Sequence, residues 1–371
     1  MPSLDQISLL LVWTAVAIYA VAFIFYTIDL ARRSAQSLDA KDATVREREL
    51  VGAAASSRSL SERSSRSLSE ESSRSLSERS ESKRPGDPKR PTGAANRSID
   101  SSRSPLAVPA SQRVRPVFAR IGTSLTWLGF LFQVGGDVTR GIAAGRVPWA
   151  NMYEFALTGV MLMVAVYLGV LFRYDLRFLG TLITGLAVIL LGGSALSFYV
   201  AVSPLSDPLK SPWLVIHVFV ASLATAFFAL TFGLSLLQLL QTRREHKMIA
   251  AGDKPVKTWG FLRTLPSSEA LESLAYRFAI VGFIFWTFTL IAGSIWANDA
   301  WGRFWGFDTK EVWTFIIWVL YAGYIHARAT RGWRGTRSAW LSIIGFAAVL
   351  FNFAIVNVFF KGLHAYSGLS N

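Results

Sequence analysis

The chain has 371 residues, of which 52% are hydrophobic and 17% are charged, which is too apolar for an ordinary soluble protein. It contains no cysteine, so disulfides, cysteine-ligated metals and thiol nucleophiles are excluded. The net charge of +14 lies largely beside apolar segments, where membrane topology and anionic lipid explain it more simply than nucleic acid. No nucleic-acid partner is therefore expected.

Eight apolar segments come close to the about 20 residues that a helix needs to cross a hydrocarbon core. They cover residues 7–28, 117–136, 152–172, 178–202, 212–240, 278–296, 312–329 and 338–360. The sequence therefore predicts an all-α, polytopic membrane protein with about eight transmembrane helices. Residues 1–30 are predicted to be a retained transmembrane anchor, because Arg32 and Arg33 follow the first segment and no compact cleavage pattern accompanies it.

The distribution of basic residues predicts the topology. If the chain alternates sides from an outer N-terminus, the short inner loops hold 13 lysines and arginines and the outer loops hold six. This bias agrees with the positive-inside rule for eight spans with both termini outside.

Residues 31–116 are predicted to be a long, disordered, Ser/Arg-rich cytoplasmic linker. An eight-residue unit, SSRSLSER or SSRSLSEE, occurs three times from Ser56 to Arg79, with leucine as its only large apolar residue. Such a segment buries too little apolar surface to fold by itself. We interpret it as a flexible connection, with phosphorylation or protein docking as alternative roles.

The predicted outer loop RVPWANMYEF, residues 146–155, has two interpretations. Asn151 followed by Glu154 resembles a helix-capping pair that starts the third span. The alternative is a functional role at the outer face for Trp149, Asn151 and Glu154.

Tryptophan is concentrated in one predicted outer loop, which we call the Trp-rich segment, residues 296–313. Its tryptophans are Trp296, Trp301, Trp305 and Trp313. An aromatic belt at the membrane interface explains two or three of them. The interleaved aromatic, glycine and charged residues also suit a large planar ligand such as a porphyrin.

In that second interpretation, each polar or small residue of the segment has an expected role. Gly302 and Gly306 let the backbone approach a flat ligand. Arg303 or Lys310 pairs with propionates, and Asp308 and Glu311 orient those cations.

The four histidines bear on the choice between an aromatic belt and a porphyrin site, because imidazole is the usual axial ligand of haem iron. His217, five residues beyond Pro212, and His364, after the eighth span, are both predicted on the outer side with the Trp-rich segment. Their convergence predicts a bis-His haem pocket, whereas an ordinary hydrogen bond is the alternative for each buried histidine. His326 lies about 21 Å further down its span and needs a partner of its own.

The motif WANDAWGRFWGFDTKEVW resembles the tryptophan-rich, WWD-type signature of the haem-handling proteins of cytochrome c biogenesis. SPWLVIHV before it, YIHAR after it and GLHAYS near the C-terminus are similar to the CcsA/ResC family, the cytochrome c synthase subunit of the two-protein system. The resemblance covers roughly residues 117–371, which we therefore predict to be a haem-handling transmembrane domain.

The resemblance implies roles for individual residues. His217 and His364 are the outer axial ligands of haem b, which is both substrate and bound ligand, and His326 is a ligand of an inner, membrane-buried haem. The implied catalytic residues are His217, His364, Trp301, Trp305 and Asp308. The implied haem-binding residues are the three histidines with Trp296, Trp301, Gly302, Arg303, Trp305, Phe307, Asp308, Lys310, Glu311 and Trp313.

The implied activity is delivery of haem across the membrane and its covalent attachment to CxxCH motifs of apocytochrome c, as a holocytochrome c synthase-type lyase. Because this chain has no further intramembrane histidine for the inner haem, an obligate CcsB/ResB-type membrane subunit is implied, and thiol-reducing membrane proteins are further expected partners. The plasma membrane is the expected location, or the thylakoid membrane in a photosynthetic source.

Two departures and three alternatives accompany this interpretation. Phe307 and Thr309 stand where the family commonly has Trp and Pro, so an indole N–H donor is lost at position 307. A haem exporter or carrier that forms no thioether is the main alternative. A cytochrome b and an ion-coupled secondary transporter fit less well, because no span has two histidines and few acidic residues lie at mid-membrane.

Overall fold

The computed structural model describes residues 3–35, 117–202, 207–252, 260–330, 332–360 and 362–363. Within these ranges the regular secondary structure is entirely helical, which confirms the predicted all-α class. The predicted linker, residues 31–116, lies outside the described residues except for its first five, which continue the first helix.

Eight long helices follow one another in the described ranges, and each predicted span falls on one of them. They are α1 Leu4–Ala35, α2 Val117–Ala144, α3 Met152–Leu171, α4 Arg177–Ser197, α5 Pro212–Ala251, α6 Ser268–Trp301, α7 Thr309–Thr330 and α8 Thr336–Phe359. One π-helical turn interrupts α4 at Val188–Gly192, and another interrupts α8 at Asn352–Val356.

Seven of these helices are long and apolar enough to cross a membrane, and α7 is not among the seven. Its 22 residues still correspond to about 33 Å at helical rise. Lys310 and Glu311 at its start and Arg328 near its end lower its hydropathy. The chain is therefore a multi-pass membrane protein in which α7 is the least apolar long helix.

The start of α3 shows the predicted capping chemistry, and α5 has a cap of its own. Asn151 caps α3, because its side-chain oxygen accepts the backbone N–H of Glu154 at 3.0 Å. Ser211 caps α5 by accepting the N–H of Trp213, and Pro212 occupies the first helical position.

Helix α1 packs on α2 through side chains spaced seven residues apart. Tyr19 fits over Gly129, where an added Cβ would lie 2.8 Å from its ring. Tyr26 and Val12 make the corresponding contacts seven residues on either side, with Gly122 and Gly136. We call this the α1–α2 heptad contact. The Tyr19 hydroxyl also donates to Gln133 Oε1 at 2.8 Å, so both packing and hydrogen bonding hold α1.

Helices α5 and α6 form the centre of the bundle and run antiparallel. A Cβ added at Gly282 would lie 2.8 Å from the Phe228 ring, and one added at Gly293 would lie 2.7 Å from His217. The two glycines therefore let the helix axes approach closely at these two levels.

Contacts at both ends of the helices show that α7 spans the bundle as α6 does. At one end, Glu272 near the start of α6 accepts from Arg328 near the end of α7 at 3.2 Å. At the other end, the end of α6 and the start of α7 flank residues 302–308. We call the end that carries residues 302–308 the loop end.

Both ends of the described chain lie at the loop end. The Arg140 guanidinium joins Asp5 of α1, Glu154 of α3 and the carbonyl of Val200, which follows α4. Leu363, after α8, is bonded to Asp308 in the loop itself. The described ends of α1 and α8 therefore lie at the same end of the bundle, whereas the number of membrane spans and the side on which the termini lie stay predictions.

Candidate functional site

A cavity opens at the loop end between α3, α5, α6, α7 and α8. Its empty volume, open mouth included, is about 1710 Å³. Apolar side chains form most of its wall, and its polar lining includes His217, Lys310, Glu311, Asn352 and Asn357. A mainly apolar, concave site with a few polar groups is typical of a small-molecule or cofactor pocket.

His217 lies in the cavity wall with a defined orientation. Its Nδ1 is 3.0 Å from the carbonyl oxygen of Thr289 on α6, so Nδ1 carries the proton in the tautomer that makes this hydrogen bond. The lone pair then resides on Nε2. Backbone carbonyls orient metal-binding histidines in this way, so the geometry fits an axial ligand of iron.

Two neighbours fix the plane of the His217 ring. The ring stacks on Trp296, with centroids 5.8 Å apart and planes 21° from parallel. On α6, Gly293 provides the space, since a Cβ there would lie 2.7 Å from Cε1 of His217. Sequence reasoning did not identify Gly293 or Thr289, because their role depends on the register between α5 and α6.

Three tryptophans of the Trp-rich segment lie at different depths. Trp296 is buried and contacts Trp301 edge to face at 4.9 Å. Trp305 is 37% exposed and lines the cavity with Trp296. Trp301 is half-buried behind Trp296, so it supports the wall of the cavity.

The connection between α6 and α7 is shorter than the predicted loop. Trp296 and Trp301 end α6, Trp313 belongs to α7, and residues 302–308 connect the helices. Gly302 has φ 71° and donates its N–H to the carbonyl of Asn298, which makes it the C-terminal cap of α6. This local role by itself accounts for glycine at position 302, and the predicted approach to a flat ligand stays a prediction.

Arg303 and Gly306 are paired in the connecting loop. The Arg303 guanidinium lies against Gly306, where an added Cβ would be 2.6 Å from Nε. Gly306 thus makes room for a side chain of the protein itself. Arg303 is exposed, and its charged group is available at the surface of the loop end.

Phe307 has a left-handed backbone conformation, with φ 58°, and an 80% exposed side chain. Such a conformation is unusual for an aromatic residue and is maintained by its surroundings. Glu311 Oε2 accepts the N–H of Gly306 at 2.8 Å and the N–H of Asp308 at 3.1 Å, on either side of Phe307. Glu311 therefore holds the loop backbone through Oε2, while its predicted role in orienting a cation stays a prediction.

Asp308 also binds backbone groups. It is the first residue of a capping pair with Glu311, and its carbonyl accepts the N–H of Val312. Its Oδ1 accepts the N–H of Leu363 at 3.0 Å. The residue that follows Leu363 is the predicted ligand His364, which lies outside the described residues.

Lys310 extends across the cavity to α8. Its Nζ donates to Asn357 Oδ1 at 2.5 Å, just beyond the π-helical turn of that helix. Lys310 is also among the residues that line the cavity, where a ligand carboxylate could replace the amide as the acceptor of Nζ.

Two predicted residues lie away from the cavity. Trp313 packs against Phe351 at 4.4 Å within the helix bundle. His326 is exposed on α7, near the end opposite to the loop. Among the described residues, the structure therefore brings five predicted ones into the cavity wall, namely His217, Trp296, Trp305, Lys310 and Glu311.

Comparison with known proteins relates this chain to one family. Residues 149–364 match the family model described as Cytochrome C assembly protein. A cytochrome c biogenesis protein CcsA of Guillardia theta is 35% identical over 246 residues, which are 62% of this chain and 80% of that protein. The CcsA of Prochlorococcus marinus is 35% identical and covers 62% and 78% of the two chains, and that of Gloeobacter violaceus is 29% identical and covers 70% and 90%.

Among solved structures, the cytochrome c haem lyase CcmF aligns with a TM-score of 0.49 and 17% identity. The alignment covers 65% of this chain and 42% of that one.

Proposed function

The chain belongs to the family of cytochrome c assembly proteins, and from this premise we propose that it presents haem to apocytochrome c at the loop end for covalent attachment. The observation that carries the proposal is His217, held by the Thr289 carbonyl and stacked on Trp296 in the wall of a mainly apolar cavity. Haem is the substrate, and His217 is one of its two axial ligands.

The second outer ligand in this proposal is His364. Asp308 holds the backbone N–H of Leu363, the preceding residue, at the edge of the loop. His364 is the next residue along the chain, and consecutive Cα atoms across a trans peptide bond are about 3.8 Å apart. Two histidines then reach the site from α5 and from the C-terminal segment.

The aromatic residues of the loop supply the surface on which the planar substrate lies. Trp305 lines the cavity, and Phe307 contacts it edge to face with centroids 6.0 Å apart. Stacking leaves the substrate edge accessible to a second polypeptide. In this proposal a propionate replaces Asn357 as the partner of Lys310, and Arg303 is exposed beside the loop.

The protein supplies position and iron ligation, and the reactive groups belong to the substrates. In each thioether-forming step, the S–H of a CxxCH cysteine adds across a haem vinyl group, so that sulfur bonds to one carbon and hydrogen to the other. The addition is redox-neutral and needs no protein nucleophile, in agreement with a chain that lacks cysteine. The histidine of CxxCH then replaces one protein histidine, which releases the product.

His326 belongs to a second, inner haem site in this proposal. Its side chain is exposed on α7, so the second ligand would come from another chain, and a CcsB/ResB-type membrane subunit would supply it. Haem would enter at this site and move to the loop end.

Absorption spectroscopy of the protein purified from haem-replete cells, with and without this partner subunit, tests the proposal. Wild type should show a bis-His haem spectrum that is lost or weakened in His217→Ala, His364→Ala and His326→Ala and is restored by imidazole for the outer pair. His246→Ala, which changes an exposed residue near the end of α5, is the matched control.

The same preparations separate synthase from carrier. Reduced apocytochrome c added to the haem-loaded pair should acquire covalent haem, detected as a mass increase that survives denaturation. Haem binding without this increase supports a haem carrier, and no haem in any folded preparation excludes both functions.

A further inference from the structure

Phe307 has two features that do not stabilise the fold. It is the only non-glycine residue with a positive φ in the described parts of the chain, and glycine would adopt its φ of 58° without strain. Its side chain is 80% exposed, so the ring gains little from burial against the rest of the protein. Backbone strain of this kind persists where the surroundings maintain it, and it is concentrated at functional sites.

The surroundings that maintain this conformation are hydrogen bonds on both sides of Phe307. Glu311 accepts the N–H groups of Gly306 and Asp308, and the Asp308 carboxylate accepts the N–H of Leu363. An exposed aromatic ring is therefore presented by a loop whose backbone is fixed.

The hydrocarbon of the bilayer does not account for the exposed ring. Residues 303–308 have no helical structure. Backbone of this kind is not exposed to hydrocarbon, because its N–H and C=O groups would lack partners there. Arg303, in the same loop, is also exposed. The Phe307 ring therefore lies outside the hydrocarbon, on the side of the loop end.

Other exposed aromatic residues surround Phe307 at the mouth of the cavity. Phe304 is 60% exposed and lines the cavity with Trp305, whose ring meets that of Phe307 edge to face. Phe360, just after α8, is 45% exposed and shares a small recess with Asp308. Phe307 does not line the cavity, so it belongs to the rim and not to the wall. Aromatic residues exposed together are typical of a surface that contacts another protein.

We propose that Phe307 is a specificity-determining residue that contacts the polypeptide substrate and not haem. Its ring packs against an apolar side chain of the segment that carries CxxCH. The inference rests on the proposed function, in which this segment reaches the edge of haem at the cavity mouth. A chain that places its cysteines at that edge passes over the rim that carries Phe307. The residue binds the substrate and takes no part in the addition of S–H across the vinyl group.

Photo-crosslinking tests the contact in the full chain, loaded with haem and reconstituted in liposomes with the proposed partner subunit. The photoreactive p-benzoylphenylalanine replaces Phe307 in one variant and Phe172 in the control. Phe172 is 81% exposed but follows α3 at the opposite end of the bundle. We expect position 307 to capture a CxxCH peptide, in competition with unlabelled apocytochrome c, and position 172 to capture lipid alone. Capture of lipid without peptide at position 307 overturns the proposal, as does the absence of any capture there.

Steady-state kinetics of haem attachment separate the ring from its backbone. Phe307→Leu and Phe307→Gly both remove the ring, whereas only glycine relieves the left-handed conformation. Both should raise KM for apocytochrome c about ten-fold, while kcat per bound haem changes less. Phe307→Tyr should restore KM, and Phe172→Leu should not alter it. A KM that rises with leucine but not with glycine would make the role purely conformational and overturn the proposal.

The two assays also distinguish this inference from the proposed function. Peptide capture at position 307 without haem attachment by the wild type would refute the synthase activity and keep the contact. Haem attachment by the wild type, with no capture at position 307 and a normal KM in Phe307→Leu, would refute the contact and keep the activity.

Discussion

Asp308 and Leu363 are hydrogen-bonded across 55 positions of sequence, with Oδ1 of the first accepting the backbone N–H of the second at 3.0 Å. Gly362 lies against the same carboxylate, and a Cβ at that position would overlap Asp308 Oδ1. The C-terminal segment therefore begins at a fixed point on the loop that joins α6 to α7.

Asp308→Ala is expected to release this segment, whereas Asp308→Asn, which keeps a side-chain oxygen as acceptor, should retain it. The chain has no cysteine, so a single Leu363→Cys provides a unique site for a nitroxide spin label and preserves the backbone donor. The label should be immobilised when position 308 holds the native aspartate or an asparagine, and mobile when it holds alanine.

Asp299→Ala is the control for the Asp308 variants, since Asp299 is an exposed acid at the same end that accepts from Ser211 instead. The same label mobility in Asp308→Ala as in Asp308→Asn would contradict the positioning role. A mobile label together with unchanged haem binding in Asp308→Ala would support the contact between Asp308 and Leu363 but contradict the assignment of His364 as a ligand.

Gly293→Ala is expected to impair haem binding without touching a ligand. The added Cβ would lie 2.7 Å from the His217 ring, so the imidazole must turn away from Trp296. Overpacking of this kind costs about 1–3 kcal/mol. Haem occupancy, measured from the Soret absorbance per protein, should fall towards that of His217→Ala.

Gly169→Ala is the matched control, because nothing lies within 4 Å of an added Cβ at position 169 in α3. It should bind haem normally and be unchanged or slightly more stable to heat. Normal haem occupancy in Gly293→Ala would show that His217 is not held in a single orientation.

Glu311→Ala should loosen the connecting loop, because Gly306 and Asp308 both lose the acceptor of their N–H groups. We expect hydrogen exchange at these two amides to accelerate by about ten-fold or more, as for loss of hydrogen bonds to a charged acceptor. Mass spectrometry of peptides from residues 302–308 measures this change.

Glu269→Ala, which changes an exposed glutamate in the first turn of α6, should leave these peptides unaffected. Phe307→Gly tests the backbone conformation of the same loop. Because φ at position 307 is 58° and the ring is largely exposed, glycine should relieve backbone strain of about 1 kcal/mol while removing an aromatic contact. Unchanged exchange in Glu311→Ala would contradict the assigned backbone role.

Glu154→Gln should be strongly destabilising. Its carboxylate is fully buried and accepts from Arg140, Arg146 and the N–H of Ala150. The substitution leaves Asp5 as the one carboxylate that pairs with Arg140 or Arg146 among the described residues, and breaking a buried ion pair costs about 3–5 kcal/mol. Thermal unfolding in detergent should show a large loss of stability.

Asp175→Asn is the comparison for Glu154→Gln, because its pair with Arg177 is long, at 3.6 Å, and largely exposed. An exposed pair contributes about 0–1 kcal/mol, so this variant should unfold close to wild type. Equal losses of thermal stability in the two variants would mean that the buried contacts of Glu154 stabilise the protein no more than an exposed ion pair does.

The positions of the eight helices could be predicted from the sequence, because apolar length alone specifies a membrane span. Their ends could not. Helix α5 runs for 40 residues and α6 for 34, well past the predicted spans 212–240 and 278–296. Polar residues continue these helices outside the apolar stretch, where hydropathy carries no signal.

The site was predictable where chemistry is local and not where it depends on packing. His217, Trp296 and Trp305 were recognised from residue type, and they line one cavity. Asp308 followed by Glu311 has the spacing of a capping box, the same signal that identified Asn151 and Glu154. This spacing indicates the backbone role of Asp308 and Glu311 better than their charge does. The roles of Gly293 and the Asn357 amide could not be predicted, because they depend on which helices are in contact.

The α1–α2 heptad contact has a consequence for how the chain can be assembled. Val12, Tyr19 and Tyr26 pack on Gly136, Gly129 and Gly122, respectively. The surfaces of the two helices therefore determine how they associate, and the contact does not depend on the 81 residues between them. The first helix should therefore function as a detachable subunit. Co-expressed as separate polypeptides broken within the Ser/Arg repeats, the two pieces should copurify, and Gly129→Leu should abolish their association.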